Sequence, residues 1–184
     1  LWFRIPAWAA GSTLKVNGKA VKVEAGEFKT VRRVWKDGDV VELSFPMKVE
    51  VERRFHDSVT VKRGPLVYSL KIGEKWEKIV DHPVCPDWAV HPTTSWNYGL
   101  AIDPENPDVK VVKKKVGRTI YGPDHAPIEL KVKGRRVPEW QMENNSAGPL
   151  PQSPVKSSEP LEELTLIPYG CAKLRITEFP LLEG

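Results

Sequence analysis

The sequence predicts an all-β protein, a β-sandwich or jelly-roll-like fold with long proline-rich loops, and three observations support this fold class. The 184 residues include 17 prolines and 13 glycines, spread along the whole chain. No segment repeats apolar residues with helical spacing over three turns, whereas short segments that alternate apolar and polar residues recur. We therefore expect one or two packed antiparallel sandwiches of short strands.

The clearest predicted element is a β-hairpin near the N-terminus. Apolar and polar residues alternate in residues 14–16 and 21–23. Asn17 and Gly18 directly follow the first of these segments and supply the two positive-φ residues of a type I′ turn.

More strands are expected along the rest of the N-terminal half. Residues 28–35 and 40–45 flank the polar turn 36–39, so they predict a second hairpin. Pro46 ends its last strand, because proline has no N–H to donate to a ladder. Alternation then resumes in three segments, residues 49–52, 59–62 and 66–70.

The second half is expected to combine strands with longer loops. Residues 71–106, rich in Trp, Pro, His and Asn, predict a long connection or a decorated loop. Residues 146–160, with four prolines, predict an exposed loop. Residues 158–163 are also compatible with a short capped helix. Strands are expected at 109–112 and 128–132, with a final hairpin formed by 164–167 and 174–176.

If the chain contains two domains, the change in amino-acid composition places their boundary near residue 75. We then expect residues 1–75 to form one β-sandwich and residues 76–184 a second β-rich region with Trp- and Pro-rich loops. The chain starts without Met and enters a strand-like segment at once, so we also expect it to be part of a longer protein.

Composition and charge argue against several function classes. The net charge is +4, but the basic residues are scattered except at 113–115 and 135–136, so no nucleic-acid partner is expected. No apolar run approaches the roughly 20 residues of a membrane span, so no membrane partner is expected. The sequence also lacks the phosphate-loop, dinucleotide, serine-hydrolase and zinc-protease motifs.

The sequence offers one weak candidate for a metal site. His82, Cys85 and His91 have the spacing H-x2-C-x5-H, which could supply three ligands to zinc. Three prolines restrict the backbone around them and no fourth ligand is evident, so we favour a structural role. Cys171 begins an apolar segment, where a small buried thiol is the usual reading. We therefore predict no catalytic residue and no metal ligand in this chain.

Aromatic residues give a candidate carbohydrate-binding site. Sugars present flat C–H faces that stack on indole rings, while amides bind their hydroxyl groups. The segment around Trp96, Asn97 and Tyr98 has both chemical features, and Trp88 and Trp140 lie in similar loop-like surroundings. The alternative is that these rings fill the core or seal the joint between sheets, as large aromatic side chains commonly do.

Several motifs, in order, resemble glycoside hydrolase family 127, which is typified by bacterial β-L-arabinofuranosidases. The β-sandwich region that follows the catalytic barrel of that family is similar to LWFRIPAWA (1–9), VNG (16–18), RRVWKDGDVVELSFPM (32–47) and VKRGPLVYSL (61–70). The downstream part of long members of the superfamily is similar to WNYGL (96–100), LKVKGRRVPEW (130–140), AGPLPQSPV (147–155) and LTLIPYGCAKLRITEFP (164–180). The resemblance covers nearly the whole chain.

The resemblance implies that the chemistry lies outside this chain. The family's catalysis is assigned to an (α/α)6 barrel with a cysteine nucleophile beside a zinc ion, marked by closely spaced cysteines. Cys85 and Cys171 are far apart, so no catalytic or metal residue carries over. We expect a non-catalytic accessory region that packs on the catalytic barrel of the same polypeptide, a glycosidase acting on β-L-arabinofuranosides or related plant glycans. The alternative is a carbohydrate-binding module that retains arabinose-containing polysaccharide.

Overall fold

The computed structural model describes residues 1–183, and their regular structure is almost entirely β. Sixteen strands and two short 3₁₀ turns make up that regular structure, so the predicted all-β class is confirmed. Within these 183 residues, none of the helical segments is long and apolar enough to span a bilayer.

The chain forms two compact units, which we describe separately. Unit 1 contains Leu1–Lys48 and Arg63–Pro65, and unit 2 contains Val49–Lys62 and the residues from Leu66 onward. The boundary expected near residue 75 lies within unit 2. As a division of the protein into domains, that boundary stays a prediction.

Unit 1 contains two small antiparallel sheets. One is a three-stranded sheet in the order β3-β2-β5, and the other pairs β1 with β4. The strands are β1 (Trp2–Arg4), β2 (Thr13–Val16), β3 (Lys19–Val21), β4 (Phe28–Thr30) and β5 (Val41–Ser44).

The predicted N-terminal hairpin is confirmed as β2 and β3. Leu14 pairs with Val21 and Val16 pairs with Lys19, which leaves a two-residue loop. Asn17 has φ 49° and Gly18 has φ 76°, as a type I′ turn requires.

The predicted second hairpin is wrong, because β4 and β5 pair with different partners. β4 pairs with β1, and β5 pairs with β2. The turn itself is present, since Asp39 N donates to Lys36 O at 3.1 Å. The Asn17 side chain accepts from Val40 N at 2.8 Å and so directs β5 toward β2.

Unit 2 is built around a seven-stranded sheet in the order β11-β13-β16-β8-β7-β6, with β12 also paired to β13. Two further ribbons pair β9 with β10 and β14 with β15. The strands are β6 (Val49–Arg53), β7 (Val59–Arg63), β8 (Leu66–Leu70), β9 (Glu74–Val80), β10 (Asp87–Pro92), β11 (Tyr98–Leu100), β12 (Lys110–Lys113), β13 (Ile128–Arg136), β14 (Met142–Glu143), β15 (Ser146–Ala147) and β16 (Glu162–Pro168).

A C-terminal segment closes this curled sheet over the core of unit 2. Val59 of β7 and Phe179 exchange two backbone hydrogen bonds, at 2.8 and 3.0 Å. Leu100 of β11 donates to Pro180 O at 2.9 Å and accepts from Leu182 N at 3.0 Å. The core beneath consists of buried residues of the sheet and Phe179, namely Val59, Val61, Tyr68, Leu70, Ile72, Tyr98, Leu100, Leu130, Val132, Leu164 and Leu166.

Two further predictions in this half are corrected. Residues 71–106 contain β9, β10 and β11 instead of a single long connection. The final hairpin is wrong, since β16 has β13 on one edge and β8 on the other and offers no free edge. Ile176 lies beside β8, where its carbonyl accepts from Leu70 N at 2.9 Å. The segment that was compatible with a short helix leads into β16 at Glu162.

Candidate functional site

Four of the five predicted sugar-contacting residues lie together in unit 2. The rings of Trp96 and Trp140 meet edge to face, with centroids 5.1 Å apart and an interplanar angle of 73°. Asn97 directly follows Trp96, and its Nδ2 donates to Val137 O at 3.0 Å and to Trp140 O at 3.1 Å. The amide that we expected to bind hydroxyl groups therefore anchors the chain before β11 to the loop after β13.

Tyr98 and Trp140 point into the protein. Trp140 is 4% exposed, and its Nε1 donates to Gly148 O at 3.0 Å. The Tyr98 hydroxyl donates to Glu162 Oε2 at 3.2 Å. Burial, together with the neighbouring Glu162 carboxylate, raises the pKa of the Tyr98 phenol. The observed contacts of both rings are with the protein, and sugar contact by these residues stays a prediction.

Trp96 is half-buried and lines a cleft of about 380 Å³. Its apolar lining includes Ile72, Ile176 and Val90 of β10, and His91 and Arg175 also line it. None of the described residues lining it is Asp or Glu. Glycoside hydrolysis generally needs two carboxyl groups, so this cleft lacks the usual acid–base pair.

Trp88, the fifth predicted residue, lies on the ribbon formed by β9 and β10. Trp76 on β9 shares a face with Trp88, and their ring centroids are 6.2 Å apart at an angle of 72°. Each ring is 47% exposed. The sequence prediction missed Trp76, although the alternation of residues 74–80 places it on the same face as Lys78. We call Glu74, Trp76, Lys78, Val80, Trp88 and Val90 the ribbon face.

Charged side chains surround the two exposed rings of the ribbon face. Glu74 Oε2 accepts from Trp76 Nε1 at 3.1 Å. Lys78 Nζ lies 5.5 Å from the Trp88 ring centroid and 3.0 Å from Asp81 Oδ1. The Trp76 ring is thus hydrogen-bonded to the Glu74 carboxylate, and the Trp88 ring is partly covered by the Lys78 ammonium group.

The two histidines considered for zinc lie beside carboxylates, and the third candidate, Cys85, is an exposed free cysteine. His82 Nε2 lies 3.3 Å from Asp87 Oδ2, and His91 Nε2 lies 3.7 Å from Glu77 Oε2. Among residues 1–183, no group of three His, Cys, Asp or Glu side chains is arranged to hold a metal ion. Cys171 is buried, its Sγ donates to Ile120 O at 3.2 Å, and burial raises the pKa of its thiol.

Unit 1 has an exposed apolar surface of its own. Trp2 is 74% exposed and Phe28 is 62% exposed. Trp2 pairs with Thr30 and Arg4 with Phe28, so both aromatic rings lie on one face of the β1–β4 pair. We call Trp2, Arg4, Phe28 and Thr30 the β1–β4 face.

The sequence and fold of this chain are similar to those of known glycoside hydrolases. The family model for the middle domain of β-L-arabinofuranosidases of glycoside hydrolase family 127 matches residues 1–47. A solved glycoside hydrolase is 28% identical, with a TM-score of 0.58, over all of this chain and 28% of its own. A solved family 127 β-L-arabinofuranosidase from Geobacillus stearothermophilus T6 is 24% identical, with a TM-score of 0.54, over all of this chain and 26% of its own.

The predicted resemblance is therefore confirmed. The chain spans about a quarter of the length of these two solved proteins. The search of curated proteins gives no match.

Proposed function

We propose that this chain, whose residues 1–47 belong to the middle-domain family of family 127 glycoside hydrolases, is a non-catalytic accessory β-sandwich region of such an enzyme. Its role is to pack on the catalytic barrel of the same polypeptide and to stabilise it. The complete enzyme acts on β-L-arabinofuranosides or related plant glycans. Its zinc site and its nucleophile lie in the barrel.

The observation that carries this proposal is the β1–β4 face. It lies in the segment that matches the family model, and it exposes Trp2 and Phe28. Burying an aromatic side chain of this size contributes roughly 1.5–3 kcal/mol, so a partner covering both rings gains several kcal/mol. Exposed apolar patches of this kind mark interaction surfaces.

The proposal predicts that this chain, added as a separate molecule, stabilises the remaining part of a similar glycoside hydrolase. The part of the matched glycoside hydrolase outside the region similar to this chain is produced alone, and this chain is added in excess. Binding to the folded state raises its melting temperature, by about 2 °C or more once the chain is well above its dissociation constant. Differential scanning fluorimetry measures the shift.

Two variants make this experiment specific. The double variant Trp2→Ser, Phe28→Ser removes both rings of the β1–β4 face and is expected to abolish the shift. Tyr121→Ser, which removes a ring that is 68% exposed in unit 2, is the matched control and is expected to keep it. A shift that survives the double variant, or no shift with the unaltered chain, contradicts packing through this face.

A further inference from the structure

We propose that the ribbon face binds a neutral polysaccharide, with Trp76 and Trp88 as its two stacking platforms. This goes beyond the packing role proposed above, because it uses a different surface of the chain. Its stacking rings differ from those of the cluster around Trp96, although Val90 of the ribbon face also lines the cleft beside Trp96.

The two rings of the ribbon face are partly exposed to solvent, and Lys78 Nζ, 5.5 Å from the Trp88 centroid, must move aside for a sugar to stack on that side of the ring. Trp76 and Trp88 are each 47% exposed and stand at 72° to one another. The faces of an indole ring are electron-rich, and the C–H groups on the flat side of a sugar carry partial positive charge, so the two attract. Two rings at a steep angle suit a chain of sugars that changes direction between successive residues.

The Trp76 ring is also held in place before any ligand arrives. Glu74 accepts the indole N–H through Oε2 and the backbone N–H of Lys173 through Oε1, at 3.1 and 3.3 Å. The carboxylate thereby ties the ring to the segment that follows the 3₁₀ turn Tyr169–Cys171. A ring fixed in this way loses less side-chain entropy when a ligand binds.

The size of the patch favours a sugar over a protein partner. A tryptophan buries about 150–250 Å² when fully covered, so two half-exposed rings offer on the order of 200 Å². A stable interface between separate proteins needs about 800 Å² from each partner, a requirement that does not apply to parts of one polypeptide such as those proposed to meet at the β1–β4 face. The aromatic area of the ribbon face therefore matches one or two sugar rings.

The charges of the ribbon favour a neutral glycan over an acidic one. Residues 74–92 contain four acidic residues, Glu74, Glu77, Asp81 and Asp87, and only two lysines, Lys75 and Lys78. Lys78 is paired with Asp81, which leaves little positive charge to attract a polyanion. Glu74 lies on the ribbon face itself and can accept hydrogen bonds from sugar hydroxyl groups, whereas Glu77 lies on the opposite face beside His91.

The test is affinity gel electrophoresis of the 184-residue chain in gels that contain soluble arabinan, arabinoxylan or the acidic polymer polygalacturonate. We expect the neutral polymers to retard the chain and polygalacturonate not to. Trp76→Ala and Trp88→Ala together are expected to weaken retardation at least about tenfold, because both stacking contacts are lost. Trp2→Ala, which removes a more exposed tryptophan from unit 1, is the matched control and keeps full retardation.

Two variants of Glu74 test whether holding the ring matters. Glu74→Gln keeps an oxygen that accepts from Trp76 Nε1 and is expected to retain most of the binding. Glu74→Ala frees the ring and is expected to weaken retardation severalfold while leaving the urea midpoint of unfolding nearly unchanged. Equal loss in both variants would show that the negative charge, and not the position of the ring, is what matters, and would overturn this part of the proposal.

Three results would overturn the site itself. The first is that no neutral polysaccharide retards the unaltered chain. The second is that Trp2→Ala weakens retardation as much as the ribbon variants, which indicates unspecific adhesion to exposed rings. The third is that the ribbon variants abolish self-association in sedimentation experiments without changing retardation, which assigns the face to a protein partner. None of these results depends on the stabilisation experiment above, so the two proposals fail separately.

Discussion

Tyr98 shows how one side chain combines packing with electrostatics. Its ring belongs to the core of unit 2, and its hydroxyl donates to Glu162. Burial and the neighbouring carboxylate both disfavour the ionised phenolate, so the pKa of Tyr98 is raised above its usual 10.0. The folded protein therefore holds this proton more tightly than the unfolded chain does.

A pH-dependent contribution to stability follows at this position. Because the folded pKa is raised, the contribution of Tyr98 is fully present below pH 10 and is lost as the pH rises through the folded pKa. Tyr98→Phe loses one hydrogen bond, which costs about 0.5–1.5 kcal/mol at pH 8, and has no phenol to ionise. We expect the stability gap between the two proteins to shrink by pH 11. Urea unfolding at both pH values measures it, and a gap that widens contradicts this account.

Single residues differ in how much of their role can be predicted from sequence. Asn17 was predicted correctly, because a positive-φ turn is a local property of two adjacent residues. Trp76 was missed as a site residue, because its importance depends on Trp88, which reaches it only through strand pairing. The burial of Trp140 likewise depends on distant contacts, such as the one with Trp96.

At the scale of elements, the β2–β3 hairpin allows a specific prediction of how two substitutions of Asn17 change stability. Asn17→Ala places a Cβ-bearing residue without a polar group in the left-handed region, at a cost of roughly 1–2 kcal/mol, and removes the side-chain hydrogen bonds to Asp39 and Val40. Asn17→Gly removes the same hydrogen bonds without the conformational cost. We expect both variants to be less stable than the unaltered protein, with Ala the lower by about 1 kcal/mol.

Urea unfolding followed by tryptophan fluorescence ranks the three proteins. Equal stability of the Ala and Gly variants would mean that the turn does not need its positive φ at this position. An Ala variant as stable as the unaltered protein would mean that the hairpin does not contribute to the folding of unit 1.

The strands were predicted better than their partners. Residues 49–52, 59–62, 66–70, 109–112 and 128–132 all fall largely within observed strands, since alternation is a local signal. The two hairpins predicted at 28–45 and 164–176 were wrong, because their strands pair with other strands. β4 pairs with β1 and β5 with β2, and β16 lies between β13 and β8. The β9–β10 ribbon was missed because charged residues lie on both of its faces and obscure an apolar period.

At the scale of the whole molecule, long-range pairing completes unit 2. Phe179 is fully buried and pairs with Val59, and Leu181 pairs with Leu100. The two residues of each bridge are far apart in the sequence, so these pairings cannot be predicted from a local sequence pattern. The all-β class follows from composition and alternation, whereas the closure of the sheet depends on tertiary contacts.

The accessory role also belongs to this scale. The match of residues 1–47 and the full-length similarity to glycoside hydrolases concern a region of about a quarter of those proteins. The proposed accessory role depends on the exposed β1–β4 face, which lies within the matched segment.

The most direct test of this account is the nucleotide sequence upstream of the codon for Leu1. We predict several hundred codons, in frame, for a chain with helical apolar periodicity and a closely spaced group of cysteines. That result would place this chain as the accessory β region of a family 127 enzyme. A start codon immediately before Leu1 would contradict the account, because the protein would then have no catalytic barrel to stabilise.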